Sequence, residues 1–262
     1  MGRFTLEASD SIGTRIIAEG GVDTSTGETV TVTLSAIKGS SYVSALTTLI
    51  DQAGAEAEIV LTNLGLPSGF DLSTSNPLEN LEAQKINASL INIMALGEAL
   101  LENSGLADGE GDELVVAALV KSLKDSSDIS SLGVISNILT EAINLSANDA
   151  VTAKASAFVS DLSSNLVNLN NQIAQSGSIS QIATVQKVAL DDEGSFLTSL
   201  INAISQGTSL AVLLKFDFPL IVIAFLTDLA PLVSQAILVI FIFSSGVSTL
   251  PDKNILPSRT ST

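Results

Sequence analysis

The spacing of apolar residues changes from two to between three and four near residue 42, and this switch constrains the fold more than any other feature of the chain. Before it, RFTLEAS, TRIIAEG and ETVTVTLSA alternate or cluster β-branched and apolar residues as half-buried strands do. The intervening GGVDTSTGE supplies Gly20, Gly21, Asp23 and Gly27 for turns. Two or three antiparallel strands are expected. So small a sheet is marginal alone in water, so it should pack on the segment C-terminal to it. After the switch, Val43, Leu46, Leu49, Ile50, Ala53, Ala57, Val60, Leu61 and Leu64 share one side of a helix, with Ser44 as N-cap and Gly65 at its end.

Asn76 and Pro77 read as the cap and first residue of a second helix. Its core stripe is Leu78, Leu81, Ile86, Leu90, Ile93, Met94 and Leu101, and Gly105 follows its end. Further helices are expected at about 112–124, 129–144, 148–175, 178–190 and 195–206. The fold class is mainly α, a helical bundle preceded by a small N-terminal antiparallel β ribbon. Residues 1–41 form the ribbon packed on the bundle, 42–207 the bundle, and 208–262 an apolar tail.

The runs IIAEGGVDTSTGETVTVTLSAIKGSSYVSALTTLI and LTNLGLPSGFDLSTSNPLENL resemble a module of very large, repetitive bacterial surface or secreted proteins. That module has a glycine-rich GG.D..TG strand pair, a VTPLTTL helix start, an LGLP.G.DL connection and a DP start to the next helix. It occurs in adhesin-like proteins that also carry cadherin-like, immunoglobulin-like or calcium-binding repeats. The resemblance covers about residues 14–102. Ala45 stands where the pattern has Pro, and Asn76 where it has Asp; Ala favours helix and Asn caps as well as Asp, so the local physics is kept. The resemblance implies a structural or adhesive part of a multidomain exported protein, with neighbouring domains of a larger polypeptide as partners and no catalytic residues to carry over.

Charge and composition narrow the functions. Twenty-eight acids against 11 bases give a net charge of −17, a field that repels phosphate and sets nucleic acid aside. The chain has no His and no Cys, which removes imidazole and thiolate ligands, the commonest general base and every disulfide. No Gly-x-Ser-x-Gly elbow and no phosphate loop occur; a serine nucleophile would need a lysine base, and Ser122 beside Lys121 or Lys124 is the pairing a serine-rich chain produces by chance. The chain reads as not an enzyme, with a carboxylate-based hydrolase as the second alternative. The start MGRFTLEASDSIG lacks the apolar run of a secretory signal, and Leu6 departs from a myristoylation pattern.

Oxygen ligands are what remain for a metal, and calcium is the ion they suit. Three acidic stretches qualify: Asp23 with Glu28; Asp108, Glu110, Asp112 and Glu113; and Asp191, Asp192 and Glu193. The second places oxygens at alternate positions. Counted from Asp108, however, an EF-hand would need Gly where Glu113 stands and Glu where Leu119 stands. The competing reading is a solvated approach to a helix whose acids complement the dipole at its N-terminus.

Three acids and three bases lie beyond residue 208, so the whole net charge belongs to the residues before it, a composition shift that marks a boundary. LAPLVSQAILVIFIFSSGV, residues 229–247, is 19 residues without a charge, near the ~20 that span a membrane. The same tail is open to readings as buried strands or helices, or as an aberrant end of a shifted reading frame. Asp217 and Asp228 disfavour a two-span hairpin, each costing about 2.5–3.5 kcal/mol at mid-bilayer. The expectation is a non-enzymatic structural or adhesive spacer at the surface of a bacterium or outside it. The first alternative is a helical binding protein anchored by that tail.

Overall fold

The computed structural model describes residues 15–210 apart from 24, 25, 28, 126, 127, 192 and 193. The strand expected in RFTLEAS and the tail readings lie outside the described residues. The described part is mainly α with a two-stranded antiparallel ribbon at its front, as the change of period requires. Strand β1 (Arg15–Ala18) pairs with β2 (Leu34–Ile37) so that Arg15 faces Ile37 and Ala18 faces Leu34; one further bridge joins Val22 and Thr29. The second strand is shorter than ETVTVTLSA suggests. Thr33 N–H leaves the ladder and donates to Asp112 Oδ2 at 2.7 Å.

The residues that open the first helix also close the edge of the ribbon. Helix α1 (Ala45–Ala53) starts at Ser44, whose Oγ accepts from Thr47 N while Thr47 Oγ1 accepts from Ser44 N, a reciprocal capping box. Thr47 Oγ1 also reaches Ser35 O at 2.8 Å, and Thr48 Oγ1 accepts from Ser35 N at 2.8 Å. Two threonine hydroxyls thus stand where the backbone of a third strand would. Asp51 Oδ2 completes the joint, accepting from Ser35 Oγ at 2.7 Å and Arg15 Nε at 2.6 Å. The expected single helix to Gly65 is broken: Gly54 sits at φ 53°, ψ −115°, a conformation side chains disfavour. One 3-10 turn (Gly54–Glu56) leads into α2 (Ala57–Leu64).

Asn76 and Pro77 start only a 3-10 turn, Pro77–Glu79. The helix begins afresh where the Asn80 side chain accepts from Ala83 N, as α3 (Leu81–Asn103). Around it are arranged α4 (Gly111–Asp125), α5 (Leu132–Leu145), α6 (Asp149–Ala155), α7 (Val159–Gln175), α8 (Ile179–Leu190) and α9 (Phe196–Gln206). Asn148, Ser178 and Ser195 cap α6, α8 and α9 through their side chains. A 3-10 turn, Ser156–Phe158, interrupts the long segment expected at 148–175. Helix α3 packs against α1, α4, α7, α8 and α9 and supplies Leu90, Ile93, Met94, Leu96, Leu100 and Leu101 to the core. Among the described residues, no helix is long and apolar enough to cross a membrane.

Two substitutions test this packing by urea denaturation. Thr48→Val keeps the shape but leaves Ser35 N–H buried without its acceptor, and is expected to cost about 1–3 kcal/mol, with Thr48→Ser restoring most of it. Asn92, fully buried with both amide atoms unpartnered, predicts the opposite sign: Asn92→Leu should raise stability by about 1–3 kcal/mol.

Candidate functional site

The acids of this chain meet where the end of α3 crosses the start of α4. Glu98 and Glu102 lie one helical turn apart on α3, and Gly111 opens α4 directly against them. A Cβ on Gly111 would stand 3.1 Å from Glu98 Cα and 3.3 Å from Glu102 Cγ, so the two helices touch here because residue 111 has no side chain. Gly97 works likewise one turn on, where a Cβ would meet Val115 Cγ2 at 2.9 Å.

That close approach carries Asp112 inward. It is 4% exposed and Glu98 9%. Asp112 Oδ2 accepts from Thr33 N at 2.7 Å, whereas Oδ1 has no donor among the protein's fixed N–H and O–H groups. Glu98 lies beside Asp112, where a proton on its carboxyl would supply a hydrogen bond to it. Burial, then the charge of Asp112 and a hydrogen bond to it, then the charges of Glu102 and Asp108, push the Glu98 carboxyl up to about 9. The pair therefore keeps a proton at neutral pH. Burial also pushes Glu102 upward, against the N–H of Gly109, which donates to Glu102 Oε1 at 2.6 Å.

The four residues singled out as calcium ligands are divided by this arrangement. Asp112 turns inward to Thr33 and Glu98, while Asp108, Glu110 and Glu113 are exposed. Among the described residues, no group of three or more acids is placed to hold a metal ion. Glu28, Asp192 and Glu193 lie outside the described residues. Glu98 and Glu102 were missed by sequence reasoning. The available signal was two glutamates four apart in an otherwise apolar stretch, MALGEALLEN, with Gly97 beside the first.

Chemically, the pair is a shared-proton joint. Neither Glu98 nor Asp112 lines the cavity between the ribbon, α3 and α8, and one oxygen of Asp112 is taken by the backbone of the ribbon. Folding takes up a proton at Glu98 between its ordinary value of 4.5 and about 9; the native state binds more protons across that window, so stability falls as pH rises through it. With no His and no Cys in the chain, few other side chains titrate between pH 6 and 9. Glu98→Gln retains a donor toward Asp112 without an ionisable proton. Its melting temperature is expected to be flatter than the parent's from pH 6 to 9 and higher at the alkaline end; parallel curves would contradict the joint.

Comparison with known protein families, curated proteins and solved structures finds no match to this chain.

Proposed function

We propose that this chain is a non-enzymatic structural module, a spacer or adhesive unit of a larger polypeptide secreted by a bacterium or held at its surface. The observation that supports this reading is where the buried polar chemistry goes. Ser35, Thr47, Thr48 and Asp51 lock one side of the ribbon to α1, and Thr33, Asp112 and Glu98 lock its other end to α3 and α4. These groups transmit load between a ribbon and a bundle, and the Ser35 hydroxyl is spent on Asp51 Oδ2, which Arg15 Nε also holds. A carboxylate hydrolase would need its two acids open to substrate, and Glu98 and Asp112 are closed by Gly111 and the ribbon.

The test is mechanical. The full chain, flanked by marker domains and stretched in a single-molecule force experiment, should resist and then yield in one cooperative event. Thr48→Val should lower the force required. Calcium and chelator should give the same unfolding force if Asp108, Glu110 and Glu113 are solvated surface. Extension without a resisting event would overturn the spacer reading, as would hydrolysis of chromogenic esters or glycosides that is lost in Glu98→Gln.

A further inference from the structure

The two edges of the ribbon differ. On β2, Ser35 N donates to Thr48 Oγ1 and Ser35 O accepts from Thr47 Oγ1, so both backbone groups of Ser35 point away from β1. Residues opposite each other in an antiparallel pair alternate between those that exchange hydrogen bonds and those that turn them outward. Ile17 stands opposite Ser35, so its N–H and C=O also turn outward, on the other edge. Arg15 and Glu19, two residues to either side, share that direction. Among the described residues, no backbone group pairs with this outer edge. An open edge is a template for another strand.

The side chains along it are their own complement. When RIIAE pairs antiparallel with a second RIIAE about Ile17, Ile17 meets Ile17, Ile16 meets Ala18 and Arg15 meets Glu19. The register also suits the backbone, because Arg15, Ile17 and Glu19 are the residues whose N–H and C=O are directed outward to exchange bonds. All three are exposed. Ile17, 57% exposed, shares its face with Ile37, 53% exposed. Arg15 is positioned from within its own chain, Nε on Asp51 Oδ2 and Nη2 on Ser35 Oγ. Glu19 has no ionic partner among the described residues.

From the open edge and its self-complementary register, we infer that β1 pairs antiparallel with β1 of a second copy, joining two two-stranded ribbons into one sheet in the order β2–β1–β1–β2. Ile17 packs on its counterpart with Ile37 beside it, and Arg15 and Glu19 of each copy meet Glu19 and Arg15 of the other. A sheet of three or more strands holds where a hairpin is marginal. So short an edge makes a small, weak contact, and the net charge of −17 on each copy opposes approach where salt is too low to screen it. The pairing gives the adhesive role a partner, a like module, and does not depend on that role: association is read from mass and exchange, the spacer role from force on a single chain.

The experiment is sedimentation of the full chain over a concentration series at physiological salt, with amide hydrogen exchange followed at Ile17. A reversible monomer–dimer equilibrium is expected, with the Ile17 amide open to exchange in the monomer and protected in the dimer. Glu19→Lys puts a cation opposite Arg15 at both ends of the pairing and should weaken association about tenfold. Ile17→Pro removes an N–H that the ladder to β2 does not use, and should abolish association. Each variant is checked for the parent's helical circular dichroism, and Glu19→Lys, at an exposed position, decides the matter if Ile17→Pro does not fold. The inference is overturned if the chain stays monomeric up to about 1 mM, or if the Ile17 amide is already protected in the monomer, the edge then being covered by the chain's own residues. It is overturned equally if either folded variant associates as strongly as the parent.

Discussion

Helix α3 has almost no face left for water, and most of what is unusual in this protein stems from that. From Ala83 to Leu101 only Lys85, Ile86 and Ile91 escape burial. Polar residues on a helix normally find solvent on its outer side; here Gln84, Asn87, Asn92 and Glu98 must find partners within the bundle or go without. Each meets the constraint differently. Gln84 and Asn87 turn to one another beside a cavity, Asn92 has no partner, and Glu98 retains a proton that a solvated glutamate would lose.

The charge of the chain makes the last of these solutions consequential. An ionised Glu98 would face Asp112, Glu102 and Asp108 at a helix crossing held tight by two glycines. The crossing tolerates four acids because one of them is neutral. Since no histidine contributes, Glu98 carries titration into the neutral and alkaline range for a residue type that ordinarily finishes titrating well below neutrality.

Helix starts were legible in the sequence because capping is local: Ser44, Asn148, Ser178 and Ser195 need only the next three residues to act. The same locality misled at Asn76 and Pro77, whose signal is satisfied by a single 3-10 turn before Asn80 starts the helix proper. The buried face of α3 was legible only in part. An apolar stripe through Leu81 and Ile86 suggested one covered side, yet both are half-buried while Gln84 and Asn87 beside them are covered, because α1 and α8 arrive from distant parts of the chain. Asp112 was recognisable as a candidate; its partner was not, since Glu98 is brought to it by a helix crossing that depends on Gly97 and Gly111.

The side-chain bonds that tie the ribbon to the helices have a consequence in time. The residues that hold Thr33 and Ser35 are Thr47, Thr48, Asp51 and Asp112, all of them later in the chain. During synthesis the two strands leave the ribosome before the helices that hold them have been made, and a lone hairpin of this length is marginal in water. The ribbon is made before its partners and settles late: its edge closes once α1 has formed, and its far end is fixed only after α3 has turned into α4.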